Sequence, residues 1–144
     1  MKSDQEPLVA KLRQDHEYMI ELMEEIRRLC IRGESSENCS ACPVSQRVVC
    51  GSNIEQAIRA FIEITLRHNL IESACMDRHV PTAHRVAHNL AHIEIAEQLE
   101  AIRRAFKASG NGAIAVSDIS ALLDAQVAHF ADYDTPLENY LLAA

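Results

Sequence analysis

Glycine and proline are scarce in this sequence, four of each in 144 residues, so there are few points at which a chain of short strands could turn. Ala, Leu, Ile, Glu and Arg dominate instead, a composition that favours helix. Together these point to an all-α chain. An apolar run of signal-peptide type is missing from Met1-Lys2-Ser3-Asp4-Gln5-Glu6-Pro7, and no stretch approaches the roughly 20 apolar residues of a membrane span. The expectation is a cytoplasmic protein with no membrane partner. A basic stripe is missing too: the formal charge is −7, and the Lys and Arg residues are scattered among Glu. That excludes a broad phosphate-backbone footprint and makes nucleic acid an unexpected partner. Cysteine occurs five times, an odd number, which in a reducing compartment reads as thiols, metal ligands or redox switches rather than structural disulfides.

What is present is a repeating apolar seam. With 48% apolar residues the chain can fill one core, and a single domain over residues 1–144 is expected. Leu12, Met19, Met23, Ile26 and Cys30 follow a 3/4 alternation in which His16 takes the missing place. This predicts a first helix from near Pro7 to Gly33. Residues 34–51 are polar, cysteine-bearing and unperiodic, and predict a long connection. A second helix, capped by Ser52 or Asn53, carries Ile54, Ile58, Phe61, Thr65, His68, Glu72 and Cys75, and ends before Val80-Pro81. A third carries His88, His92, Ile95, Leu99, Ile102 and Phe106, and breaks at Ser109-Gly110-Asn111-Gly112. The fourth opens near Ser117, carries Ile119, Leu122, Leu123, Val127 and His129, and should loosen near Asp134 because Pro136 disfavours helical dihedrals before it. Antiparallel neighbours follow, giving an up-down-up-down four-helix bundle.

Polar residues interrupt the seam of every helix. Counted from the helix ends at about 1.5 Å per residue, His16, His68, His92 and His129 all lie roughly 20–26 Å from the same end of the bundle. Unpaired imidazoles and carboxylates at one buried level would be costly, and a metal satisfies them directly. His68/Glu72 and His88/His92 are four apart, close enough around a helix to reach one centre. His129 and Asp134 are five apart, about 140° round a regular helix, so a loosened turn would be needed to bring Asp134 inward. Five imidazoles and two carboxylates exceed the four ligands of a structural zinc site and suit two borderline ions such as iron.

Four stretches carry a resemblance: Gln14-Asp15-His16-Glu17, His68-Asn69-Leu70-Ile71-Glu72, His88-Asn89-Leu90-Ala91-His92, and His129-Phe130-Ala131-Asp132-Tyr133-Asp134. With them the chain resembles the hemerythrin and bacteriohemerythrin family over nearly its whole length. The resemblance implies two non-haem irons: His88, His92 and His129 on one, His16 and His68 on the other, with Glu72, Asp134 and an oxo or hydroxo group bridging. It also implies dioxygen, or nitric oxide, as a ligand at an open position on the second iron. Met19, Met23, Leu70 and Ile71 are candidates for the walls of a dry pocket there.

Several alternatives stand beside this reading. His84/His88 rivals His88/His92 as the third-helix pair, although the seam, run backward, meets Arg85 and not His84. His79 fits a capping or surface role. Cys39-x-x-Cys42, with Cys30 and Cys50, is compatible with a structural zinc knot, a disulfide or redox clasp, or inert thiols. Cys75, one turn beyond Glu72, reads as a core thiol. The leading functional expectation is reversible dioxygen binding for carriage, storage or sensing. No acid, base or nucleophile stands apart from the ligands, so an enzyme is not expected. Redox turnover of peroxide or nitric oxide, and signalling through an unidentified protein partner, are the alternatives.

Overall fold

The computed structural model describes residues 5–29, 43–77 and 80–143, and prolines mark where three of its helices begin. Pro7 stands in the first turn of α1 (Glu6–Arg28), where its missing N–H has no helical bond to lose. Pro43 and Pro81, both extended, directly precede α2 (Val44–Met76) and α3 (Thr82–Ser109). Gly110 closes α3 in the left-handed conformation at φ 65°, which a residue without a Cβ adopts at least cost. Asn111 then opens α4 (Gly112–His129), its side-chain oxygen accepting from the Ile114 N–H at 3.2 Å. A single π turn (Phe130–Asp134) follows α4, and α5 (Thr135–Ala143) follows directly.

Two predicted helix starts are corrected. α2 begins at Val44 rather than at Ser52 or Asn53, so the last part of the 34–51 connection is helix. Pro43 supplies the start, and residues such as Val48 and Val49 are exposed, so this first stretch needs no seam periodicity. α4 begins at Gly112 rather than near Ser117. One stop and one cap at Gly110-Asn111 complete the whole turn, which leaves Ala113, Ala115 and Val116 to pack inside. Cys30, Cys39, Cys42 and His79 lie outside the described residues.

α1 packs between α2 and α4, and α3 packs between the same two on the other side. Consecutive helices are antiparallel, and the architecture is the expected all-α four-helix bundle. Among the described residues no helix is long and apolar enough to cross a membrane.

The seam is buried along two unequal clusters. Among the described residues the larger holds fourteen that are buried, including Met19, Met23, Ile58, Phe61, Ile95, Leu99, Ile119 and Leu122. The smaller holds Val9, Leu12, Met76, Leu137 and Leu141. Each fully buried Leu, Ile, Met or Phe contributes about 1.5–3 kcal/mol, so the larger cluster dominates the stability of the fold. Arg13 on α1 donates to the buried Glu138 carboxylate on α5 at 3.1 Å, tying the last helix down beside the smaller cluster. Between the two clusters lies a layer that is almost wholly polar.

Candidate metal centre

His16, His68, Glu72, His88, His92, His129 and Asp134 are all buried in this layer. Each sits on a helix whose apolar residues one or two turns away belong to the clusters: Leu12 and Met19 flank His16, for example. The seam that fills the core therefore also aims these side chains inward.

The ligand atoms converge in two overlapping groups. Glu72, His88, His92, His129 and Asp134 offer atoms within 4.8 Å of one another, and so do His16, His68, Glu72 and Asp134. Both carboxylates belong to both groups. His16 Nε2 stands 3.0 Å from His68 Nε2 and 2.8 Å from Asp134 Oδ2. His68 and His92 bring Nε2 to 3.1 and 3.2 Å from Glu72 Oε1. His88 and His129 bring Nε2 to 2.8 and 3.0 Å from Asp134 Oδ1.

Short as these contacts are, several lack the directionality of hydrogen bonds. His88 Nε2, Glu72 Oε2 and both Asp134 oxygens are buried without a hydrogen-bond partner. A protein rarely leaves so many polar atoms unsatisfied at one place. Atoms that crowd together yet do not hydrogen-bond are arranged as ligands facing a shared centre. The donor set of imidazole and carboxylate suits a divalent transition-metal ion.

The electrostatics agree with the packing. Burial pushes the Asp134 carboxyl up, but the imidazoles of His129, His16 and His88 outweigh it and hold the group well below the ordinary carboxylate range. Glu72 is opposed by burial and by the charge of Asp134, yet His68 and His92 hold it low as well. His92 is depressed, chiefly by burial.

The spacing of five between His129 and Asp134 is resolved by the π turn. The Thr135 N–H bonds the Phe130 carbonyl five residues back, so residue i+5 takes the place that i+4 holds in an α-helix. The expected loosening before Pro136 takes this form: the turn widens by one residue, Asp134 comes inward, and the helix continues to Ala143. Spreading the turn over five residues relieves the clash a proline ring makes with the carbonyl four residues back in a regular helix. The widened turn also places Phe130 flat against His16, ring centroids 4.1 Å apart, and Tyr133 against His88 and His129.

A second set of contacts orients the imidazoles from outside. Asp15 accepts from His68 Nδ1 at 3.1 Å and from Lys11 at 2.7 Å. Burial raises the Asp15 carboxyl, but Lys11 and His68 together hold it below its ordinary value. For His68 burial works against the charged form, and Glu72 and Asp15 override it, raising its pKa. With Nδ1 committed to Asp15, Nε2 is left to face the centre. His84 plays the matching part on α3, its Nε2 lying 3.0 Å from His88 Nδ1. It therefore stands outside the converging groups, which contain His88 and His92.

Sequence reasoning passed over some of these residues. Asp15 is adjacent to a seam histidine and one turn from Lys11, which was a readable sign of a buried, charge-compensated carboxylate. On α4 the seam differs from the expected one: Val127 is exposed and Gln126 is buried. Spacing alone, from Leu122 through 126 to His129, would have placed Gln126 inside; its polarity argued against it. Leu70, expected in a pocket wall, is 72% exposed, because it lies two residues from both His68 and Glu72, on the opposite side of α2. Ile71 packs on the smaller cluster, and Met19 and Met23 lie in the larger. Cys75 is half-buried, its thiol pushed up by burial and by the charge of Glu72. Cys50 lies at the far end of α2, where its thiol donates to the Leu29 carbonyl at 3.3 Å.

No curated protein and no solved structure matches this chain. A family model does: that of the hemerythrin HHE cation binding domain, over residues 7–139. That span takes in all seven converging side chains, and the chain belongs to the hemerythrin HHE cation binding domain family.

Proposed function

We propose that this protein is a non-haem diiron protein that binds dioxygen reversibly, for carriage, storage or sensing. The observation that carries the reading is the sharing of Glu72 and Asp134 by two imidazole groups, three on one side and two on the other. His88, His92 and His129 would hold one iron and His16 and His68 the other, with both carboxylates between them. Two ferrous ions held there would supply the two electrons that reversible dioxygen uptake draws on.

The chain's own residues do the rest. The His16/His68 side provides one imidazole fewer, which leaves room for an outside ligand. Asp15 and His84 fix the rings of His68 and His88, and Phe130 backs His16. The apolar clusters above and below exclude water, which protects a reduced centre from proton-coupled oxidation. A surface groove of about 470 Å³ between α2 and α3, lined by Leu66, Leu70, Ile93 and Ala96 with Asn69, Ser73 and Asn89, has His92 in its wall.

The test is iron quantitation together with optical spectra of the reduced protein before and after exposure to air. Two irons per chain and a visible band that appears with air and fades on removal of oxygen are expected. A colourless protein that takes up no iron would overturn the reading.

A further inference from the structure

One turn from the metal layer, on the side of the larger cluster, two buried polar side chains each hold an oxygen without a hydrogen-bond partner. Thr65 is fully buried and its hydroxyl has no hydrogen-bond partner; Gln126 is 2% exposed and its amide oxygen has none. A helical threonine ordinarily bonds the carbonyl four residues back, and Thr65 does not. Leaving such groups unpaired in a core is costly, whereas Val and Leu would fill the same space without that cost.

Register places the two together. Thr65 lies three residues before His68 on α2, and Gln126 three before His129 on α4. Residues three apart share a helix face about 4.5 Å apart along the axis. α2 and α4 run in the same direction and touch across the bundle. From the antiparallel helices, Met19 and Ile95 occupy the same level, three residues after His16 and His92, and both are buried. Thr65 and Gln126 therefore sit in an otherwise apolar layer whose polar neighbour is the cluster of imidazoles and carboxylates.

Resting on the diiron reading, we propose that Thr65 and Gln126 form a hydrogen-bonding subsite for an outside ligand held at that centre. The Thr65 hydroxyl can donate as it stands, and the Gln126 amide can donate once it is turned so that its NH2 takes the place of the partnerless oxygen, so the ligand class is a two- or three-atom molecule that carries negative charge on the atom away from the metal. Such a subsite strengthens binding of charged or charge-accepting ligands relative to a wholly apolar pocket.

Azide serves as the probe, titrated into the oxidised, iron-loaded protein and followed by its visible absorption. Thr65→Val and Gln126→Leu are expected to keep two irons and to bind azide about tenfold more weakly than the unaltered chain. Thr65→Ser, which retains the hydroxyl, is expected to restore affinity to within about twofold. In the iron-free protein Thr65→Val and Gln126→Leu should each raise the melting temperature, because an unsatisfied polar group has been removed. Azide affinity unchanged in both iron-loaded variants overturns the subsite alone, and is the result expected if water merely fills that layer. An unaltered chain that binds no iron overturns the diiron reading and the subsite with it. Lower melting temperatures of both iron-free variants overturn the claim that the two groups are unsatisfied.

Discussion

α2, and α4 with the π turn that follows it, each bring one histidine and one carboxylate to the same layer, by different means. His68 and Glu72 are four apart on an unbroken α-helix, while His129 and Asp134 are five apart and need the π turn. The α2 pair is also braced from behind, through Asp15 and Lys11, whereas His129 Nδ1 is buried without a partner. A spacing of four asks only for regular helix. A spacing of five asks for an extra residue inside the turn, and the aromatic rings that the wider turn displays come with it.

The most damaging way to break the comparison is to remove a shared carboxylate. On the proposed two-iron centre, Glu72→Ala and Asp134→Ala are each expected to lower bound metal from two ions to fewer than one per chain, read by elemental analysis after reconstitution. If either variant keeps both ions, the two carboxylates are not equivalent. Deleting Ala131, an exposed residue of the π turn, tests the geometry itself. His129 and the aspartate would then be four apart on regular α-helix, so metal content should survive. Stability should fall by about 3 kcal/mol, because Pro136 then meets an ordinary helical turn. Adding Pro136→Ala to the deletion should recover that loss in chemical denaturation. A deletion that abolishes metal binding while the chain remains folded would show that the π turn does more than phase the helix.

Bracing is tested by Asp15→Asn. Loss of a carboxylate behind a metal-binding imidazole costs about 10- to 100-fold in affinity, and here it should weaken one ion and spare the other in a competitive chelator titration. Equal weakening of both ions would mean that Asp15 supports the layer as a whole. The smallest effect belongs to the regular side of the comparison, far from the layer. Gly51 lies inside α2 with open space where a Cβ would project. Gly51→Ala should raise stability by about 0.5–1 kcal/mol, seen as a higher melting temperature with metal content unchanged.

The helices and the layer were legible in the sequence because both follow from one periodicity. Residues that fill the seam with Leu and Ile also fix where His16, His68, His88 and His92 must point. Helix starts were less legible: Val44 and Gly112 begin helices whose first residues need not carry that periodicity, and a single Pro or Asn sufficed to start them. The π turn was foreshadowed by the spacing of five and by Pro136, but a proline specifies only that something must give, not that the helix resumes. Gln126 was hidden by its chemistry, since a polar side chain at a core position contradicts the pattern used to find the core. The partners of Asp15 and His84 are less legible than their positions. Their contacts join α1 to α2 and one turn of α3 to the next, and a linear pattern does not report which neighbouring rings they touch.

The unequal division of the core has a consequence for how the protein opens. Among the described residues, fourteen buried apolar residues hold the helices on one side of the polar layer, and five, two of them on α5, hold them on the other. Metal loss leaves buried titratable groups at the boundary, several without a hydrogen-bond partner, so the end held by the smaller cluster is the one that frays. Amide exchange in the metal-free protein should then be fast in α5 and at the first turns of α1, and slow around Ile58, Leu99 and Ile119. Uniform protection throughout would show that the bundle opens as one unit. A graded pattern would make the same α5 segment a reporter of whether the centre is filled.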